Sequence, residues 1–156
     1  MSAKLKARSA ARLSAVQALY QMEVGGADLG DILAEFENGL LEVPGENELP
    51  AADGKFFHDV VKGVVREQRT LDPLVDAALI AGWPLARVEA VLRAILRAGA
   101  YELVHRADVP ARVVVSEYVN VAGAFLDGDE TGMVNAVLEQ IARRARGPEF
   151  QESASG

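Results

Sequence analysis

RVEAVLRAILRAGAYELVHRADVPARVVVSEYVNVAGAF, Arg87 to Phe125, is the stretch that decides the fold. Val88, Val91, Leu92, Ile95, Leu96 and Leu103 recur at the spacing of one helical face. Ala90, Ala94 and Ala98 form a second line, small enough for another helix to approach closely. A helix from Leu85 to about Val104 follows. Asp108-Val109-Pro110 stops the chain and starts the next helix, with Val114, Tyr118, Val121, Ala122 and Phe125 at helical spacing. Val113-Val114-Val115 has strand propensity. The start signal and the longer period outweigh three residues.

The same period extends outward in both directions. Leu13, Val16, Tyr20 and Val24 lie on one face of a helix from about Lys6 to Val24, which Gly25-Gly26 ends. Asp28 can cap a second helix striped by Leu29, Ile32, Leu33, Phe36 and Leu40. Residues 43–53 hold two prolines and a glycine without periodicity, and read as a loop. Asp53 caps a third helix, with Phe57, Val60, Val61, Val64 and Gln68 on one side. Asp72-Pro73 reads as the start of a fourth, closed by Gly82-Trp83-Pro84, with Trp83 as a lid on the core. Asp127 to Gly132 is a turn. Met133, Val134, Val137, Leu138 and Ile141 then face the core from a last helix. Arg143, Arg144 and Arg146 fall in its final turn, where cations suit the dipole. The expectation is an all-α domain over residues 1–147, about seven helices in two small packed bundles. Residues 148–156 read as a disordered tail.

Composition narrows the function. With 156 residues and half of them hydrophobic, the chain can bury one proper core. It has no cysteine, which excludes disulfides, thiol catalysis and cysteine-based zinc sites. It has no apolar run of membrane-spanning length, and no apolar segment follows its basic start, so a soluble cytoplasmic protein is expected. His58 and His105 stand apart without ligand spacing. Asp127-x-Asp129-x-Thr131-Gly132 mimics the start of a calcium loop, but Leu138 occupies the position that needs a bidentate glutamate. No Walker loop, GxSxG or HExxH is present. Nothing supports an enzyme.

The charge is segregated. Lys4, Lys6, Arg8 and Arg12 precede the first acid, Glu23, in a chain of formal net charge −7. Bases at the start of a helix oppose its macrodipole by about 0.3–1 kcal/mol each. Such a patch suits a local anionic partner on a body that repels polyanions elsewhere. A frayed, solvated arm is the competing reading. Glu89, Glu102 and Glu117, on largely apolar helices, read as solvated faces.

Four segments carry a resemblance. RLSAVQALYQMEV (Arg12–Val24), FFHDVVKGVVREQRTLDPLV (Phe56–Val75), the Arg87–Phe125 stretch and MVNAVLEQIAR (Met133–Arg143) resemble the NusB family in order and spacing. The resemblance implies two packed helical bundles, no catalysis and no cofactor. It implies binding of the single-stranded boxA element of nascent ribosomal-operon RNA. The ribosomal protein NusE would bind alongside, on the RNA polymerase elongation complex with other Nus factors, with no membrane role. A similar domain fronts certain ribosomal RNA cytosine methyltransferases; no SAM-binding α/β segment is seen here, so that activity is not expected. By resemblance the RNA-binding residues are Arg8, Arg12, Tyr20, Asp129 and Met133, with Lys4 and Lys6 added from the basic start of the chain to compensate for a thinner arm, and Glu89 faces the protein partner. Ser9 and Ala10 stand where some members have arginines, and Met133 where some have phenylalanine. Tyr20 also sits on the apolar face, so burial with only its hydroxyl exposed stays open. Four basic contacts to a single strand imply a slope of log K against log salt of about −3. The alternative is a helical protein-interaction or homodimerisation module that binds no RNA.

Overall fold

Helix formation here follows the caps and the 3.6-residue period, and the helices then pack through their alanine, valine and leucine faces. The computed structural model describes residues 2–43, 51–79, 89–126 and 130–150. Six helices run through them: α1 (Ala3–Gly25), α2 (Leu29–Glu37), α3 (Gly54–Ala78), α4 (Ala90–His105), α5 (Ala111–Phe125) and α6 (Glu130–Ala145). A helical turn follows over 147–150, and the described residues contain no strand. Ser2 caps α1 by accepting from the Leu5 amide, and Gly26 ends it at φ 73°, a left-handed conformation that suits glycine. Asp28 and Asp53 cap α2 and α3 as their positions suggest. The three valines at 113–115 are helical.

α1, α3 and α4 pack together, and α4 packs again on α5 and α6. The quoted helix is therefore common to both bundles, and the two share one hydrophobic core. α3 meets α4 closely: a Cβ on Gly63 would lie 2.2 Å from the Tyr101 ring. α2 is attached by Phe36, which stacks on Phe57 with centroids 3.8 Å apart.

Four local expectations change. No helix starts at Asp72-Pro73; α3 runs through Pro73 to Ala78. Asp72 does not cap, because its carboxylate is held by Arg97 at 2.8 and 2.9 Å. Leu71, Val75 and Ala78 continue the buried face and hold the helix across the proline. α2 stops at Glu37, so Leu40 of its expected stripe is exposed. The region from Ile80 to Val88, with Trp83 and the start expected for the strongest helix, lies outside the described residues. So do residues 127–129 of the predicted turn.

Arg146 is the third change. It is not a solvated last-turn cation but buried, with its guanidinium gathering four carbonyls at the α4–α5 corner. Leu103 O, Arg106 O, Val109 O and Glu102 O accept at 2.7, 2.7, 2.9 and 3.1 Å. Leu103 O is one that the end of α4 leaves without an intrahelical partner. The fourth change follows from it. The expected tail begins as helix: Glu149 accepts from Arg146 at 3.1 Å and from the Ala111 amide at 3.1 Å, capping α5 from across the chain. Phe150 packs on the core.

Candidate nucleic-acid interface

The first three turns of α1 hold all four predicted cations, and the fold divides them. Lys4 and Lys6 are exposed. Arg8 is one-fifth exposed, with Nε 3.9 Å from Asp53 and Nη1 4.0 Å from Asp108. Its Nε is shut away from solvent without a hydrogen-bond partner. Its charge is thus held in place loosely, and its donors are only partly used.

Arg12 does not stand at the surface with them: it is 2% exposed. It forks onto the fully buried Glu102, with Nε–Oε2 at 2.8 Å and Nη2–Oε1 at 3.0 Å. Nη1 reaches Glu117 at 3.0 Å. Burial works to lower the guanidinium pKa, but the hydrogen bonds and charge of Glu102 outweigh it, and the pKa is raised. Glu102 also accepts from Tyr118 at 2.5 Å. Burial, with the neighbouring Glu102 charge, holds that phenol's pKa well above its ordinary value. Glu117 accepts from Ser9 at 2.5 Å, tying α5 to the basic arm. Glu102 and Glu117 are therefore not a solvated face; they anchor α1 to α4 and α5.

Phe56 completes this hub. Its ring lies under three guanidiniums, those of Arg8, Arg12 and Arg106, at 4.8, 4.7 and 4.8 Å from the centroid. Arg106 reaches the hub from the α4–α5 corner and pairs with Asp59 at 3.1 Å and Asp108 at 2.9 Å. The three cations are matched by Asp53, Asp59, Asp108, Glu102 and Glu117. This makes the hub a support for the arm's underside and leaves Lys4 and Lys6 as the arm's unpaired cations, beside an Arg8 that is one-fifth exposed and shared with Asp53 and Asp108.

The other predicted residues lie elsewhere. Tyr20 is half-buried, sixteen residues from Lys4 and hence about 24 Å along the helix axis. Met133 is half-buried in the first turn of α6 and packs on the core. Asp129 lies outside the described residues. Glu89 is exposed at the start of α4, and its side chain makes no capping bond. Phe56, Glu102, Glu117 and Arg106 were not singled out as site residues. Glu102 had a visible signal: it lies seven residues after Ile95, on the buried stripe.

Among the described residues, no three metal-ligating side chains come together, and no helix is long and apolar enough to cross a membrane. His58 pairs with Glu37 at 3.1 Å, and His105 stacks on Tyr101.

Comparison with known proteins agrees with this architecture. The NusB family matches residues 9–143. The transcription antitermination protein NusB of Rhodopseudomonas palustris (strain BisB18) is 68% identical over 149 residues, covering 94% of this chain and 88% of that one. The solved structure of T. maritima NusB is similar at TM-score 0.73 and 28% identity, over 92% of this chain and 96% of that one. A chain from a crystal structure of antitermination factors NusB and NusE in complex with dsRNA is similar at TM-score 0.70 and 25% identity, over 88% and 96%.

Proposed function

This chain belongs to the NusB family, and from that premise we propose that it is a transcription antitermination factor acting in the cytoplasm. It binds the single-stranded boxA element of nascent ribosomal-operon RNA, together with the ribosomal protein NusE, on elongating RNA polymerase. The match over residues 9–143 carries this reading. It is a binding protein without a catalytic step.

The geometry supplies a way to bind. Lys4 and Lys6 stand in water on the first turns of α1, and Arg8 presents the edge of a guanidinium already oriented over Phe56. Pre-orientation lowers the entropy lost when a phosphate is bound. Tyr20 and the residues around Asp129 and Met133 supply base contacts, since single-stranded RNA is read by splayed bases against side-chain faces. Glu89, with a carboxylate free of any capping role, meets the protein partner. With Arg12 withdrawn into the core, three basic contacts remain, and the salt slope falls from about −3 to about −2. RNA binding by this chain alone is therefore weak. NusE extends the RNA surface and raises affinity through effective concentration.

Fluorescence anisotropy with boxA RNA and a scrambled control, with and without NusE, tests this. The expected result is preference for boxA, stronger with NusE. Equal binding of the two RNAs in both conditions would refute it.

A further inference from the structure

A second row of cations lies on α3, away from the hub. Lys55, Lys62, Arg66 and Arg69 fall within about 60° of one another on the helical wheel. All four are exposed. Lys55, Lys62 and Arg69 make no hydrogen bond or ion pair to the described residues, while Arg66 pairs at the surface with its neighbour Glu67 and also lies against the Tyr101 hydroxyl. The acid in this sector, Asp59, is turned to other work, accepting from Tyr101 at 2.8 Å and Arg106 at 3.1 Å. Lys62 and Arg66 are like charges at i and i+4, an arrangement that weakens a helix. The first turn of α3 contains no acid, just as the first turn of α1 contains none. A solvated helix face on a chain with 23 acids has no need of such a row.

The row is continuous with the α1 arm. The Asp53 amide donates to Ala7 O at 3.0 Å, and the Asp53 carboxylate lies beside Arg8. Lys55 therefore begins where the arm's cations end. From Lys55 to Arg69 the track is about 21 Å long, the span of about six stacked nucleotides.

We propose that this α3 row binds the single-stranded RNA flanking the element held by the α1 arm, as a phosphate track indifferent to sequence. The proposal rests on the RNA-binding reading above and extends it to a second surface. The row offers four cations and no exposed aromatic ring in its sector. That chemistry suits a phosphate backbone rather than stacked bases.

The test compares the full chain with the K55A/K62A/R69A variant, on a boxA RNA and on the same RNA lengthened by about six nucleotides of scrambled sequence at either end. The longer RNA is expected to bind wild type more tightly, with a salt slope steeper by about 3. The variant, which keeps Arg66, is expected to lose about 2 of that slope, on the order of 100-fold in affinity at about 0.1 M salt, and to bind the short RNA as wild type does. Lys55 and Lys62 are expected to resist acetylation when the long RNA is bound, and not when the short RNA is bound. A flank that adds no affinity, or a variant that weakens both RNAs equally, would overturn the proposal. So would a variant that loses only its binding to anionic phosphatidylglycerol vesicles. Failure of wild type to prefer boxA over scrambled RNA would refute the family function instead. The track is then read on oligo-U, where equal binding by wild type and variant overturns it.

Discussion

Replacing Arg12 by alanine separates the structural reading of the first helix from the electrostatic one. The guanidinium makes three hydrogen bonds to two carboxylates, and one of these, Glu102, is fully buried. Its loss leaves Glu102 with the Tyr118 hydroxyl as its side-chain donor. Removing one member of a buried ion pair costs about 3–5 kcal/mol, because a charge is stranded in the interior. In a chain of this size each kcal/mol lowers the melting temperature by about 2–4 °C, so a fall of about 10 °C is expected. Urea unfolding followed by far-UV circular dichroism measures it. The double variant R12M/E102Q is expected to recover much of the loss, since the amide oxygen still accepts from Tyr118 and no charge is buried. The folded fraction of R12A should keep most of its RNA affinity. A cost under about 1 kcal/mol, the range of an exposed pair, would refute this account.

Three further predictions follow from other parts of the structure. K4A/K6A should flatten the salt slope for boxA RNA by about 1.4 and leave the melting temperature nearly unchanged; an unaltered slope would remove those lysines from the interface. Tyr118 stays protonated in the fold above the pH at which a free phenol ionises, so the unfolded chain holds fewer protons there and stability falls as pH rises past about 10, by up to about 1.4 kcal/mol per pH unit. Y118F should lessen that alkaline slope in urea titrations, and an identical slope would contradict the burial of the phenol. G63A should destabilise by about 1–3 kcal/mol or more, because the Tyr101 ring is buried and its hydroxyl is tied to Asp59, so it cannot yield to a methyl group; a melting temperature equal to wild type would show that α3 and α4 can separate.

The helical period and the side-chain caps were enough to place most elements. Ser2 extends α1 beyond its apolar stripe, and Asp28 and Asp53 act as their positions suggest. Asp72-Pro73 misled because a local start signal lost to long-range forces: Arg97 took the carboxylate, and three buried residues carried the helix past the proline. The site was half legible. Lys4 and Lys6 are free cations, as a basic arm on an acidic chain implies. Arg12 and Glu102 were misread because their types suggest water, yet both lie on core stripes, Arg12 four residues before Val16 and Glu102 four after Ala98. Two opposite charges on the buried faces of two helices are a signal that each can be the other's partner, ninety residues apart. Arg146 could not be read this way, since the groups it satisfies are backbone carbonyls, which every sequence has.

That last contact also sets an order of events. The carbonyls at the α4–α5 corner are synthesised about 40 residues before the side chain that closes over them, and ribosomes add about 5–20 residues each second. The corner therefore waits several seconds, half-built, and Arg106, which reaches from it to Phe56, waits with it. The underside of the basic arm is among the first parts of the chain to be made and among the last to be locked. A ribosome stalled shortly before Arg146 would carry a chain whose α4–α5 corner still lacked the side chain that closes it.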